Sequence, residues 1–190
     1  MAKINFCNQC GHAVEFRIPS DDSRPRAICP SCEFIQYSNP KLVVGCLLSH
    51  HGKVLLCQRD IEPRINYWTL PAGYMENHES TIEGALREAK EEACAVGQNM
   101  RLFAVYDLPR ISHVYMLYAG ELAQGIAQAG DETKAVALLE EADIPWDQMA
   151  FSVMTEALQR HFEDRQTGET HIHRATFQGY PGEEATIKRD

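Results

Sequence analysis

Residues 73–95 read GYMENHESTIEGALREAKEEACA, and this stretch decides the predicted fold. Ser80 followed three residues later by Glu83 is a capping box, so the sequence predicts a helix that starts here. Gly97 is the predicted stop, which gives a helix over 80–96. Apolar residues recur at helical spacing and form one narrow stripe that is expected to face inward: Ile82, Ala85, Leu86, Ala89, Ala93 and Val96.

Three glutamates, Glu88, Glu91 and Glu92, fall together on the flank of that stripe, with Arg87 beside them. Glu88 and Glu92 are an i,i+4 pair of like charges, which destabilises an isolated helix by about 0.2–0.5 kcal/mol. Like charges at the edge of a core indicate that a cation belongs between them. A hard divalent ion such as Mg²⁺ or Mn²⁺ takes oxygen ligands and bridges phosphates. An ordinary solvated helix face is the alternative interpretation.

The composition excludes several classes of protein. The chain has 190 residues, 44% of them apolar, and a net charge of −9. An acidic balance argues against a protein that holds long nucleic acids, but a small phosphorylated ligand is compatible because metal ions can supply positive charge locally. No apolar run approaches the ~20 residues that a membrane span needs, and the first cysteine motif begins too early for a signal peptide. We therefore expect a cytoplasmic protein with no membrane partner.

Two CxxC pairs near the N-terminus are separated by 18 residues. Their members are Cys7, Cys10, Cys29 and Cys32. The spacing is typical of a four-cysteine Zn²⁺ site, in which each pair supplies two thiolates to a tetrahedral ion. Residues 13–18 and 26–28 are predicted to pair as short strands between them, in a unit too small to be stable without the metal. Disulfides or a redox motif are the alternatives, and both are disfavoured without an exported context.

The remainder of the chain predicts strands on either side of the acidic helix and a second amphipathic helix over 151–165. That order favours an α+β fold, with a sheet sandwiched between helices. The predicted organisation is a zinc ribbon at 1–38, a main domain at 39–165 and a polar tail at 166–190. For the tail, an edge strand and disorder are both open.

A longer pattern surrounds the glutamates of the predicted helix. It consists of a glycine, Glu79 six residues later, and then Arg87-Glu88-Ala89-Lys90-Glu91-Glu92, after the lead-in Leu70-Pro71-Ala72-Gly73. This pattern resembles the Nudix box, the signature of hydrolases that split nucleoside diphosphates linked to another moiety. The box normally has glycine where this chain has Cys94, which puts the local backbone packing there in question. The resemblance implies a Nudix-type α/β/α sandwich with a mixed sheet.

The ribbon narrows the resemblance to the Nudix branch that acts on FAD and ADP-ribose. Further similar motifs are Asn39-Pro40-Lys41, Val43-Val44-Gly45 and Asp143-Ile144-Pro145-Trp146. The implied activity is metal-dependent cleavage of a nucleotide conjugate into two monophosphates. NADH pyrophosphatases also carry a ribbon, but residues 95–107 lack the SQPWPFPxS-like motif of those enzymes. An NADH or NAD pyrophosphatase, and a catalytically silent nucleotide sensor whose ribbon binds a partner, are the alternatives.

The resemblance also implies roles for individual residues. Glu88 and Glu92 are expected to bind Mg²⁺ or Mn²⁺, with Glu91 assisting and the carbonyl of Ala72 completing the site. Arg87 is expected to hold Glu91 through an i,i+4 ion pair. Glu79 is expected to tie the preceding loop or to reach a metal.

The general base and the substrate contacts are open. The base is either a glutamate of the box or an acid on a downstream loop, where Glu132 lies. Arginines that are candidates for phosphate contacts are Arg59 and Arg64, and rings that are candidates for stacking on adenine or flavin are Tyr67, Trp68, Tyr115 and Tyr118. The expected partner is a small nucleotide, and the resemblance allows a homodimer.

Overall fold

The structure is a computed structural model and describes residues 4–179 and 186–189. Backbone contacts divide the chain into two units, Met1–Pro40 and Lys41–Asp190. No helix within the described residues is both long enough and apolar enough to cross a membrane.

The first unit contains a small antiparallel sheet. Its strands, in spatial order, are β1 (Glu15–Arg17), β2 (Arg26–Ile28) and β3 (Ile35–Gln36). Phe16 pairs with Ala27, so the predicted pairing of 13–18 with 26–28 is confirmed.

The second unit is built on a sheet of nine strands in the described part of the chain. The strands are β4 (Lys41–His50), β5 (Lys53–Arg59), β6 (Trp68–Thr69), β7 (Ala72–Tyr74), β8 (Gly97–Leu108), β9 (His113–Leu122), β10 (Thr133–Leu139), β11 (His173–Gln178) and β12 (Thr186–Arg189). The order is β10-β5-β4-β9-β8-β11-β12, with β6 added beside β5 and β7 beside β4. Two neighbouring pairs, β4 with β9 and β8 with β11, are parallel and the others are antiparallel, so the sheet is mixed, as predicted.

Both faces of this sheet are buried, because two helices cover it from opposite sides. Along β4, Val44, Cys46 and Leu48 pack in the same cluster as the alanines of α1 (Thr81–Ala93). The alternate residues Val43 and Leu47 pack with α2 (Ser152–Thr167). Successive side chains of a strand point to opposite faces, so a strand buried on both sides reads as a continuous apolar run. The predicted α/β/α sandwich is confirmed.

Helix α1 starts as predicted but ends earlier. The Ser80–Glu83 capping box is present. Cys94 adopts the left-handed conformation (φ 46°, ψ 28°) and donates its N–H to the carbonyl of Lys90, which ends the helix. The prediction of a helix over 80–96 with a stop at Gly97 is wrong: Gly97 begins β8, and Val96 is exposed outside the helix.

The sequence after Gln166 contributes two strands to the sheet. Strand β11 runs parallel to β8, and β12 pairs antiparallel with β11.

Candidate active site

Arg87 organises the acidic face of α1. Its Nε and Nη2 atoms donate to the two carboxylate oxygens of Glu79, at 3.0 and 2.9 Å. Nη1 donates to Glu88 at 2.7 Å and to Glu91 at 2.9 Å, while Nη2 also donates to the carbonyl of Tyr74 at 3.1 Å. The hydrogen bonds from Arg87 lower the pKa of Glu79 to about 2. The predicted Arg87–Glu91 ion pair is therefore present, and Glu79 connects the preceding loop to the helix.

Glu88 is buried against the backbone of Gly73. A Cβ atom on Gly73 would overlap the Glu88 carboxylate, so this position requires glycine. Burial raises the pKa of Glu88, and the hydrogen bond from Arg87 opposes that shift without cancelling it. The glycine of the lead-in thus allows strand β7 to approach the charged face of the helix.

Glu92 differs from its neighbours because it has no arginine bonded to it among the described residues. Its Oε2 accepts a hydrogen bond from the N–H of Ala72 at 3.2 Å. Burial raises the pKa of Glu92 to about 7, and the negative charge of Glu88 acts in the same direction. The structure thus joins Ala72 to Glu92 through the amide, and the role predicted for the Ala72 carbonyl stays a prediction.

A loop between β9 and β10 brings Glu132 to the same place. The N–H groups of Gln128 and Gly130 donate to the carbonyls of Ala93 and Glu92, at 2.8 and 3.0 Å, and so cover the last turn of α1. A side chain on Gly130 would collide with the backbone of that turn. Added to burial, the charge of Glu132 contributes to the raised pKa values of Glu88 and Glu92.

These groups line one large cavity of about 1360 Å³. Its acidic lining includes Glu88, Glu91, Glu92, Asp131 and Glu132. Its arginines are Arg59, Arg64, Arg87 and Arg110. Its apolar lining includes Leu108, Ile111, Tyr115, Met149, Val153 and Phe177. A cavity of this size whose lining combines apolar side chains with charged groups is typical of a site for a small ligand.

Arg59 is held in place at the edge of the cavity. Its Nε donates to the carbonyl of Pro63 at 2.8 Å, and its guanidinium lies 5.2 Å from the ring centre of Phe151. Arg64 lies over the ring of Tyr67, also at 5.2 Å. Both predicted arginines therefore line the cavity, and contacts on one side limit the orientations of each.

Of the predicted aromatic candidates, only Tyr115 is among the described residues that line the cavity. Tyr67 and Trp68 are not in that set, and Trp68 packs against the core on the α2 side. Tyr118 lies in the cluster on the α1 side, where its hydroxyl is 2.5 Å from that of Thr81. The sequence predicts that all four rings lie near the Nudix box or in strands, but it does not indicate which side of the sheet each ring faces.

Sequence reasoning missed several lining residues. Tyr74 and His113 face each other, with the Tyr74 hydroxyl 3.2 Å from Nε2 of His113. Phe151 precedes α2, and Phe177 lies on β11. Tyr74 follows Gly73 directly and was within reach of sequence reasoning, but Phe177 has no local signal because its position depends on the pairing of β11 with β8.

The four cysteines of the first unit form a cluster that fits a metal ion. Their sulfur atoms all lie within 4.8 Å of one another, with Cys10 at 3.4 Å from Cys29 and from Cys32. A tetrahedral ion bound at about 2.3 Å by four thiolates would separate them by about 3.8 Å. Backbone N–H groups of the second pair lower the pKa of Cys29 to about 6, while hydrogen bonds with Cys29 and Cys32 raise the pKa of Cys10 to about 12. Without a metal, the cluster therefore favours one thiolate that shares its charge with the neighbouring thiols.

The two CxxC turns also share one backbone geometry. In each, the residue four positions after the first cysteine has positive φ and donates its N–H back to that cysteine's carbonyl. These residues are Gly11 (φ 76°) and Glu33 (φ 58°). The equivalence indicates that both pairs present their sulfur atoms in the same way to one ion.

Each of the two units matches a known protein family. A family model described as Nudix N-terminal matches residues 5–38, and one described as NUDIX domain matches residues 39–174. A NUDIX hydrolase of known structure from Nitrosomonas europaea is 46% identical, with a TM-score of 0.87 over 91% of this chain and 98% of that chain.

Two further relatives are more distant. An ADP-ribose pyrophosphatase from Methanocaldococcus jannaschii is 28% identical over 116 residues, which are 57% of this chain and 67% of that protein. The NUDIX domain of Shewanella oneidensis NrtR, solved in complex with ADP ribose, has a TM-score of 0.56 at 23% identity over 70% of this chain and 91% of that chain, a likeness of fold alone. With the domain model spanning most of its length, this chain belongs to the Nudix hydrolase family.

Proposed function

We propose that the protein cleaves the diphosphate of a nucleotide conjugate, with ADP-ribose or FAD as the substrate, into two monophosphates. The observation that carries the proposal is the carboxylate of Glu92. It lies beside Glu88 and Glu132 at the wall of a large cavity, and in the described part of the chain its hydrogen-bond donor is the amide of Ala72. Negative charge gathered in this way, with Arg87 bonded to Glu88 but no arginine bonded to Glu92 among the described residues, favours the binding of a divalent cation together with a phosphorylated ligand.

The types of ligand present suit such a cation, although among the described residues only the four cysteines bring three or more side-chain ligand atoms within 4.8 Å of one another. Glu88 and Glu92 would hold Mg²⁺ or Mn²⁺, with Glu91 and the carbonyl of Ala72 as further oxygen ligands, since carboxylate and carbonyl oxygens are what these ions prefer. A bound divalent ion supplies positive charge to the phosphoryl oxygens and acidity to a coordinated water. Positioning, proton transfer and substrate binding are assigned to side chains of this protein.

Arg87 is the positioning residue of the site. Among the described residues it donates five hydrogen bonds, and these fix Glu88 and Glu91 relative to Glu79 and the loop that carries Tyr74. Charge-assisted hydrogen bonds of this kind restrict the carboxylates to one geometry. Phosphoryl transfer depends mostly on positioning and on charge, so this restriction is the chief contribution of the helix beyond its ligands.

Glu132 is proposed as the general base. It is exposed in the cavity on a loop, close enough to Glu88 and Glu92 for its charge to affect both. Glu91, the alternative base within the box, is held by Arg87. A carboxylate that is free to accept a proton from an attacking water suits this role better than one engaged in an ion pair.

The ends of the substrate are assigned to the remaining lining residues. Arg59 and Arg64 stand at the cavity where the phosphates of a dinucleotide would need neutralisation. Tyr115 offers a ring for an adenine or a flavin. In the first unit, we assign Zn²⁺ to the four thiols, where it would stabilise the ribbon. A cytoplasmic location, a homodimer and the absence of long nucleic acids as partners stay predictions.

ADP-ribose is the first substrate to test because the relative from Methanocaldococcus jannaschii is an ADP-ribose pyrophosphatase. The test is a phosphatase-coupled phosphate-release assay on ADP-ribose, FAD, NADH, NAD and a nucleoside triphosphate, with Mg²⁺, with Mn²⁺ and with neither. We expect turnover of ADP-ribose or FAD that requires the added cation and is lost in Glu92→Gln. Preference for NADH would assign the protein to the pyrophosphatases of that substrate. Absence of all turnover by folded, zinc-loaded protein would reject the proposal in favour of a nucleotide sensor.

A further inference from the structure

The cavity is completed by residues that lie beyond the part of the chain shared with the family model. The match to the NUDIX domain ends at residue 174. Phe177 and Gly179 follow it, and both line the cavity. The strands β11 and β12, which we call the C-terminal hairpin, therefore bring a feature to this site that the family pattern does not describe.

Strand pairing fixes the position of Phe177. In the parallel pair of β11 and β8, Ala175 lies opposite Tyr106 and Thr176 opposite Asp107. This register carries Phe177 on towards Leu108, which also lines the cavity. The ring of Phe177 lies 5.4 Å from that of Tyr106 at a steep angle, and the side chain is only 3% exposed. Phe177 is thus a closely packed part of the cavity wall.

The C-terminal hairpin is attached to α2 by two charged contacts. Arg189 on β12 donates to both carboxylate oxygens of Glu156, at 2.9 and 3.0 Å, and Glu156 is 2% exposed. On β11, Nε2 of His173 lies 3.0 Å from the carboxylate of Asp164. Both strands are therefore tied to the helix whose first residues also line the cavity.

The wall around Phe177 is apolar. Phe177 belongs to one buried apolar cluster with Tyr115, Met149 and Val153, Leu108 packs against that cluster, and all five residues line the cavity. The carboxylates of Glu88 and Glu92 line the same cavity from α1. In a nucleotide conjugate the sugars and phosphates are polar, so the part that gains most from an apolar wall is the aromatic base.

We propose that the C-terminal hairpin is a specificity element of the cavity, in which Phe177 forms part of the wall that receives the aromatic base of the nucleotide. This inference rests on the proposed function, since it takes the ligand to be a nucleotide conjugate. It assigns Phe177 to binding of the base-bearing half and not to the chemical step. Arg189 is a positioning residue that keeps the wall in place through Glu156.

The two halves of ADP-ribose provide the test, because each product can be measured alone. Binding of AMP and of ribose 5-phosphate to the full-length, zinc-loaded protein is followed by titration calorimetry in Mg²⁺. We expect Phe177→Ala to weaken AMP binding roughly fivefold, the size of one lost aromatic contact, and to change ribose 5-phosphate binding less than twofold. In steady-state kinetics the same variant is expected to raise KM for ADP-ribose more than it lowers kcat.

Ile187→Ala is the matched control. Ile187 pairs with Phe177 across the hairpin and packs against the same core, but it is not among the described residues that line the cavity. It loses a comparable apolar side chain and is expected to leave AMP binding as in the unsubstituted protein. Phe177→Leu keeps most of the volume, and it gives the same selective loss in a milder form if the alanine variant does not fold.

Three results would overturn the inference: no AMP binding by the unsubstituted protein, equal loss of AMP binding in the Phe177 and Ile187 variants, or a loss confined to ribose 5-phosphate. The proposed function is scored separately by turnover. If the protein hydrolyses no conjugate but the Phe177 variant selectively loses AMP binding, the role of Phe177 in base binding is supported and the proposed enzymatic activity is rejected.

Discussion

The two helices that cover the sheet each carry a glutamate withdrawn from solvent, Glu156 buried on α2 and Glu92 half-buried on α1, and they treat its charge in opposite ways. On α2, Glu156 accepts hydrogen bonds from Arg160 at 2.8 Å and from Arg189 at 2.9 and 3.0 Å. On α1, Glu92 accepts one from the amide of Ala72 in the described part of the chain. A charge withdrawn from water is costly unless it is paired, so Glu92, which has no arginine bonded to it among the described residues, marks the place where a ligand is expected to complete the structure.

The pKa directions express the same difference. Burial by itself would raise the pKa of Glu156, but the hydrogen bonds from Arg189 and Arg160 outweigh it and lower the pKa below its ordinary range. For Glu92, burial prevails and the pKa rises to about 7. One helix therefore holds a structural ion pair, and the other carries the carboxylate that we propose binds a cation.

The largest expected effect is on turnover. We expect Glu92→Gln to lower kcat for the best substrate by roughly a thousandfold, because the charge that holds the cation is lost. Glu156→Gln makes the identical chemical change on the other helix and should keep kcat within a few-fold of the unsubstituted enzyme. The assay is phosphate release at saturating Mg²⁺. Similar losses in both variants would mean that the difference between the helices has no catalytic meaning.

The same two variants are expected to rank in the opposite order when the loss of stability is measured instead of the loss of turnover. Glu156→Gln removes the charge that pairs with two arginines and replaces one acceptor oxygen by a donor, so it is expected to lower the free energy of unfolding by about 3 kcal/mol. Glu92→Gln replaces a carboxylate whose charged form is unfavourable by a neutral amide. The metal-free variant should therefore be at least as stable as the unsubstituted protein. Urea unfolding followed by tryptophan fluorescence measures this, since both tryptophans lie in the second unit. A greater loss for Glu92→Gln would contradict the account.

The pH dependence of stability should have opposite signs for the two residues. A raised pKa, as for Glu92, contributes stability below about 4.5 that is lost as the pH rises through about 7, amounting to about 3 kcal/mol in metal-free protein. A lowered pKa, as for Glu156, contributes stability above 4.5 that is lost as the pH falls through the folded value. The free energy of unfolding is measured as a function of pH for the unsubstituted protein and for each glutamine variant. The difference between the two curves gives the slope that the substituted residue contributes. Slopes of the same sign would refute this comparison.

The smallest expected effect concerns the ends of the helices. Both end in a left-handed residue, Gly168 (φ 73°) after α2 but Cys94 (φ 46°) after α1. Cys94→Gly should therefore stabilise the protein by about 1 kcal/mol, and Gly168→Ala should destabilise it by a similar amount. Thermal unfolding of the two variants tests this, and a Cys94→Gly variant of lower stability would show that the thiol makes contacts that outweigh the backbone strain.

Features that depend on neighbours in sequence were predictable. The Ser80–Glu83 cap and the Arg87–Glu91 pair are three and four residues apart, so helical periodicity alone brings their side chains together. The paired cysteines and the short strands between them follow equally local rules. The end of α1 is also local, but glycine is the usual left-handed residue at a helix end, so the sequence predicts a stop at Gly97 whereas the structure ends the helix at Cys94.

Features that depend on tertiary contacts were not predictable from one sequence. The last turn of α1 is covered by Gly130, and the cavity is closed by Phe177, residues that are 38 and 85 positions from Glu92 along the chain. Glu156 has the appearance of a surface residue in sequence; its i,i+4 pair with Arg160 is local, but its contact with Arg189 depends on the position of β12. Strand order decides all three, and hydrophobic periodicity does not encode strand order.

The most direct test of the central claim is a Mn²⁺ titration, followed by electron paramagnetic resonance, on the zinc-loaded protein at pH 7.5 without substrate. We expect one site per chain in the unsubstituted protein, at least tenfold weaker binding in Glu92→Gln, and unaltered binding in Glu156→Gln. Binding in Glu92→Gln as tight as in the unsubstituted protein, or equal weakening in both variants, would contradict the claim that α1 leaves a charge for a cation while α2 neutralises its own.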